Sequence, residues 1–308
     1  MKFPEFNFDF MGRRKLAGAL SMGLIALSLG ALAVNGLNFG LDFTGGTLVE
    51  VGFPEGVDPE EIRSQLDDAG FVNGVVQHFG SQTEVLIRMP PQADGDPAGL
   101  GDRILDTIRQ QAPGAAMRQS NFVGPVVGEE LAESAGLAIL TALAVVMLYI
   151  LFRFTKQFSV GAVVALAHDV TLVLGLFSLL QWTFDLAVVA AVLAVVGYSL
   201  NDTIVVSDRI RENFRTLRKG APFDVINRSL NQTLGRTLVT SMTTLFVLLA
   251  LLIAGGEGIR GFAAALTFGV VIGTYSSIYI AANMLLVMNI SREDLVVPEK
   301  EDAKESYP

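Results

Sequence analysis

The sequence has 308 residues, 51% of them hydrophobic, with a net charge of −9 and no cysteine. A mean hydropathy of +0.49 marks a membrane composition, and the acidic balance argues against a nucleic-acid binder. Without cysteine there is no disulfide and no metal thiolate, and no cofactor or metal site is expected.

Residues 1–15 hold Lys2, Arg13, Arg14 and Lys15, and Phe3, Phe6, Phe8 and Phe10 alternate with other residues. This segment is expected to lie on the cytoplasmic surface of a membrane. The apolar run 16–34 is the first of six candidate spans, followed by 131–152, 158–180, 186–208, 236–254 and 261–289. A signal peptide also fits the first run, since basic residues precede it and Ala31-Leu32-Ala33 resembles a cleavage site. Its length and the five further spans favour an anchor. Lys and Arg collect in 1–15, in the 153–157 and 209–235 links and in the charged tail 290–308, which predicts cytoplasmic termini.

The long segment 35–130 then lies outside. It holds fifteen Asp and Glu against five Arg, so it accounts for the acidic balance. Gly45-Gly46 permits backbone angles other residues avoid and predicts a tight turn, with Asp42 as a candidate site just outside the membrane. Residues 48–53 alternate like a strand. Asp58 is placed to cap a helix over 59–69, with Pro59 first and Glu60-Glu61 in the first turn. Strands are expected at 72–79 and 84–89, a loop at 90–96, a helix at 97–112 and a last strand at 116–127. The order β-α-β-β-α-β suggests a ferredoxin-like sandwich. His78 stands alone and is read as a plain surface or core residue.

Polar groups inside the spans carry the functional signal. A carboxylate in an apolar span costs at least ~2.5–3.5 kcal/mol and usually faces a bundle interior or a water path. The fourth span holds Ser199, Asn201, Asp202, Thr203 and, at its end, Asp208. Asp202 is followed by Ile204, Val205 and Val206 and is the strongest candidate; Asp208, next to Arg209, reads as interfacial. On a helix, Tyr198, Asp202, Val205 and Arg209 share one face. A lone six-helix unit would expose that face to lipid, so a second membrane protein is expected to cover it. His168 and Asp169 lie near the middle of the third span and serve either packing or proton transfer. Arg236 opens the fifth span either as an ion-pair partner of Asp202 or as a plain anchor. Before it, Phe223, Ile226, Leu230 and Leu234 recur at helical spacing and suit an interfacial amphipathic helix.

Several motifs resemble one family. They are Phe39-Gly-Leu-Asp-Phe-Thr-Gly-Gly46, Val123-Gly-Pro-Val-Val-Gly128, Ala167-His-Asp169, Gly197-Tyr-Ser-Leu-Asn-Asp-Thr203, Asp208-Arg-Ile-Arg-Glu-Asn213 and Thr240-Ser-Met-Thr-Thr244. The chain resembles the SecD/SecF family of bacterial protein-export membrane proteins, relatives of the proton-driven RND transporters. The resemblance implies a partner, SecD, with six spans of its own, working with the SecYEG channel and YajC on exported unfolded polypeptide. It implies a multi-pass protein of the bacterial inner membrane, in contact with lipid, with the large loop periplasmic. It also implies that Asp202 and Arg236 take part in proton passage, and that the chain is not an enzyme.

The expected fold is therefore an all-α membrane bundle of six transmembrane helices plus an α+β ferredoxin-like periplasmic domain. The rival readings are a stand-alone small-molecule transporter, an intramembrane aspartyl protease using Asp169 and Asp202, and a passive assembly scaffold. Six spans make only half of a two-repeat transporter, and the residues around both aspartates lack the Gly-x-Gly-Asp pattern expected of the protease.

Overall fold

The computed structural model describes residues 6–91, 99–217, 220–291 and 294. Six of its helices are long and apolar enough to cross a membrane. The first, α1 (Arg14–Asn35), follows a short 3-10 turn at Met11–Arg13. The second and third are α5 (Pro125–Arg153) and α6 (Lys156–Leu180). The fourth is α7 (Leu186–Thr216) and the fifth α8 (Pro222–Ala254). The sixth begins as α9 (Glu257–Ser276), passes through a π-helical turn (Ser277–Ala281) and ends as α10 (Ala282–Val287).

Helix α7 is the most enclosed, with 56% of its most apolar window buried, against 11% for the first two spans. Glycine makes that enclosure possible. A Cβ on Gly269 would stand 2.1 Å from Val195 Cγ2, and one on Gly273 would stand 3.1 Å from Ser199 Cβ. Small residues at such crossings let two helix backbones approach closely. The outward side chains are large and apolar, among them Val34, Phe152 and Ile253, as a lipid-facing surface requires.

Between α1 and α5 lies an α+β domain. Its elements are β2 (Gly46–Gly52), α3 (Pro59–Asp68), β3 (Val75–Phe79), β4 (Ser81–Met89), α4 (Leu100–Arg109) and β5 (Ala116–Val123). The sheet is antiparallel throughout, in the order β3-β4-β2-β5. Val49, Val51, Val85, Ile87, Ile104 and Ile108 are fully buried between one sheet face and the two helices. Asp58 caps α3 by accepting from Glu60 N at 2.9 Å. The fourth strand stops at Val123 rather than 127, because Pro125 sits at the first position of α5, where its missing N–H costs nothing. The expected loop at 90–96 and the start of the 97–112 helix fall mostly outside the described residues, as do residues 1–5 and nearly all of the tail.

Two readings need correction. The segment before Arg236 is not a separate interfacial helix. Gly235 alone does not break the helix, and α8 runs unbroken from Pro222 to Ala254. Its first turns bury Val225, Ile226 and Leu230 against Val206, Ile210, Phe214 and Met11. Nor does the segment before α1 merely lie on a surface. Asn227 Oδ1 accepts from Phe10 N and Met11 N, and Asn231 Oδ1 accepts from Phe8 N at 2.7 Å. Asn231 Nδ2 donates back to Phe8 O, so residues 8–11 are strapped across one end of the bundle and Met11 is fully buried.

Candidate functional site

Among the described residues, two carboxylates are buried inside the bundle. Asp169 on α6 is fully buried and Asp202 on α7 is 5% exposed. Asp169 has both oxygens occupied. Ser199 Oγ donates to its Oδ2 at 2.5 Å and Ser276 Oγ at 2.7 Å, while Oδ1 lies 2.9 Å from His168 Nδ1. His168 stacks on Tyr275, whose hydroxyl donates to Ala17 O of α1 at 2.7 Å. Asp202 is differently placed. Thr237 Oγ1 donates to its Oδ1 at 2.6 Å, and its Oδ2 is buried with no hydrogen-bond partner among the described residues. His168 Nε2 is buried and unpartnered in the same way.

The π turn organises this arrangement. Ser276 and Ser277 stand at its start, and the two consecutive hydroxyls serve different neighbours. Ser276 bonds Asp169, whereas Ser277 Oγ lies 2.9 Å from Thr203 Oγ1, next to Asp202. Such turns insert an extra residue per turn and recur at functional positions in helices. Beyond them, Tyr198 donates to Ser241, which contacts Thr274 at 2.7 Å. A chain of hydroxyls therefore ties α7 to α8 and α9.

Ser199, Asp202 and Thr203 are thus brought together with His168 and Asp169 in one polar interior. Asn201 is exposed and turned away from it. Arg236 is also exposed, and no ion pair with Asp202 forms within 4.0 Å; the next residue, Thr237, takes the aspartate instead. The polar face of α7 is not open to lipid as a lone unit would leave it. Ser199, Asp202, Thr203 and Ser207 are all buried within this chain. Asp208 pairs with Arg153 at 2.9 Å on a half-exposed rim. Sequence reasoning missed Thr237, Ser276 and Ser277 as partners. The signal available was the Tyr275-Ser276-Ser277 trio inside an otherwise apolar span.

The glycine pair has its own place. Gly45 and Gly46 have φ of +65° and +118°, after the short α2 (Leu41–Thr44). A Cβ on Gly46 would stand 2.3 Å from Met89 O, so only glycine fits. Gly128 of α5 packs against Gly45 N, where its own Cβ would stand at 2.9 Å. Asp42 Oδ2 accepts from Leu186 N at 3.0 Å, at the first residue of α7. The negative charge complements the positive end of that helix.

Comparison with known proteins matches these features to one family. The model for "Protein export membrane protein SecD/SecF, C-terminal" matches residues 104–291, and the "SecD/SecF GG Motif" model matches residues 30–53. The chain is 51% identical to Protein translocase subunit SecF of Vibrio alginolyticus, over 97% of this chain and 96% of that one. It is 47% identical to the subunit of the same name from Pseudomonas aeruginosa, over 98% of each. The crystal structure of SecDF from Thermus thermophilus, a translocon-associated membrane protein, superposes with a TM-score of 0.85 at 39% identity. That match covers 94% of this chain and 40% of SecDF. The buried aspartates, the glycine turn and the helix arrangement thus sit in a chain that belongs to the SecD/SecF family of protein-export membrane proteins, on its SecF side.

Proposed function

We propose that this chain is an accessory subunit of the Sec protein-export machinery that uses the proton-motive force, with Asp202 as the group that changes charge. The observation that carries the reading is the asymmetry of the two buried carboxylates. Both oxygens of Asp169 accept hydrogen bonds or meet His168, whereas Asp202 Oδ2 is buried with no hydrogen-bond partner among the described residues, in the most enclosed helix. The Thr237 hydroxyl donates to the carboxylate and, by rotating, accepts from the protonated acid, so both forms are accommodated. Moving one charge across 100 mV supplies ~2.3 kcal/mol, enough to bias a two-state helix arrangement. In this reading Ser199, Thr203, His168 and Asp169 are the polar surroundings of the pathway, Asn201 and Arg236 flank it, and no enzymatic step is involved.

The likeness to SecDF supports a SecD partner. This chain corresponds to 40% of the SecDF chain, which leaves room there for a SecD portion; a separate SecD is the partner proposed here. SecYEG, YajC and the exported unfolded polypeptide complete the proposed assembly in the bacterial inner membrane. The strand order β3-β4-β2-β5 with two helices on one face supports a ferredoxin-like reading of the α+β domain, placed in the periplasm with both termini cytoplasmic.

The test is Asp202→Asn, which keeps the shape and cannot titrate. Export into inverted vesicles is measured with and without an uncoupler. The variant should insert normally and keep ATP-driven export, yet lose the gradient-dependent part. A variant that still responds to the gradient like the parent would leave Asp202 a packing residue and the chain a passive scaffold.

A further inference from the structure

The α+β domain meets the bundle at a side chain that no motif singled out. Arg88 stands on β4, on the sheet face turned away from α3 and α4. Its Nη1 donates to Phe39 O at 3.0 Å and to Asn38 Oδ1 at 3.4 Å, and its Nη2 donates to Thr183 Oγ1 at 3.3 Å. Its Nε is buried without a partner. Phe39 and Thr183 belong to β1 (Asn38–Phe39) and β6 (Thr183–Phe184), a short parallel pair. Gly40 N donates to Phe184 O at 2.8 Å, and the rings of Phe39, Phe43 and Phe184 pack edge to face and stacked beneath.

This knot is the socket of α7. Asp185 caps the helix by accepting from Val188 N at 2.9 Å, and Asp42 accepts from Leu186 N. Burial pushes the Arg88 guanidinium below the ordinary arginine range, an effect that the nearby Asp185 charge opposes. Beside this contact the open sheet face and the bundle face each other. A cleft of about 720 Å³ separates them, lined by Glu50, Gln77, Arg88, Trp182, Asp185 and Arg260 among others. Two chain crossings and the Arg88 contact tie the domain to the bundle at the edge of this cleft. From the socket, α7 runs as one unbroken helix, and Asp202 lies sixteen residues in, ~24 Å along its axis.

We infer that Arg88 is a positioning residue that couples the α+β domain to the helix bearing Asp202, as a clasp on the socket of α7. The inference rests on the proton-driven reading of Asp202. Its planar guanidinium grips a backbone carbonyl, an amide and a hydroxyl at once, a geometry a lysine ammonium reproduces only in part. Displacement of α7 along its axis changes the clasp, and the domain swings about its two chain crossings.

The chain has no cysteine, so paired spin labels at Gln77→Cys and Leu252→Cys report the width of the cleft. They are measured in the full chain within bacterial membranes that contain the export machinery, with and without a proton gradient. Gradient-driven export is read on the same membranes. Arg88→Gln should broaden the distance distribution and cut gradient-driven export at least fivefold while ATP-driven export continues. Arg88→Lys should restore part of both, which a variant that merely misfolds does not allow. Arg88→Gln with the parent's distribution and the parent's response to the gradient overturns the clasp. A parent whose export ignores the gradient overturns the proton reading, and the coupling falls with it.

Discussion

Thr237 Oγ1 donates to Asp202 Oδ1 across 2.6 Å and so joins α8 to α7 at the buried acid. Removing that hydroxyl leaves a carboxylate oxygen buried without its donor, a loss of about 1–3 kcal/mol. Thr237→Val should therefore reduce gradient-driven export roughly five- to hundred-fold with normal insertion. Thr237→Ser keeps the hydroxyl and should retain most of the activity. Vesicle export with an uncoupler control separates the two.

Arg236 is exposed on α8, one residue before that threonine. It lies within electrostatic reach of Asp202 without touching it. Arg236→Lys should keep orientation and part of the gradient-driven export, and Arg236→Ala should lose several-fold more of it. Orientation is checked by protease accessibility of the α+β domain from the two sides. Equal, full activity of both variants would reduce Arg236 to a membrane anchor.

Gly46 holds φ +118° against the Met89 carbonyl. Alanine there is strained by its backbone angle and by the clash, about 1–3 kcal/mol. Gly46→Ala should make the α+β domain open more often, read as faster proteolysis between residues 46 and 123. An unchanged cleavage rate would show that β2 and β4 shift freely to admit the methyl group.

Asp185 gives a pH-dependent outcome. Burial raises its carboxyl above the usual aspartate range, with the Asp42 charge adding to the rise and the helix-cap hydrogen bonds opposing it. The folded state then binds its proton more tightly than the unfolded state. The socket of α7 is correspondingly most stable at low pH and loses that contribution as pH rises through the folded value. Hydrogen exchange at residues 186–188, corrected for intrinsic rates, should show more frequent opening at pH 7 than near pH 4. Asp185→Asn keeps a good cap and removes the titration, so its profile should be flat.

The sequence made the elements legible where local chemistry decides them. Asp58 and Pro59 start α3, Gly80 turns β3 into β4, and six apolar runs give six long helices. It also marked Asp202, because a carboxylate among Val and Ile has few explanations. What it did not reveal depends on rotation and distant packing. Neighbouring helix residues point about 100° apart, so Thr237 reaches the acid and Arg236 faces away. Ser276 finds Asp169 across 107 residues of sequence, and nothing local announces that contact. The polar face of α7 looked unpartnered because a single span shows its own stripe and not the hydroxyls of α8 and α9 that cover it. The continuous α8 was hidden by an amphipathic start that matches a surface helix as well as a buried one.

The strap over Asn227 and Asn231 imposes an order on biogenesis. Phe8 meets Asn231 across 223 residues of sequence. At a synthesis rate of about 5–20 residues per second, about 10–45 s separate the emergence of the two. For most of that interval the first helix is already made, while the asparagines that grip its leading segment do not yet exist. Helix α1 also waits for α6, since Ser28 packs on Gly175. The earliest part of the chain is consequently among the last to find its place, and the end of the bundle remote from the α+β domain closes only when α8 arrives.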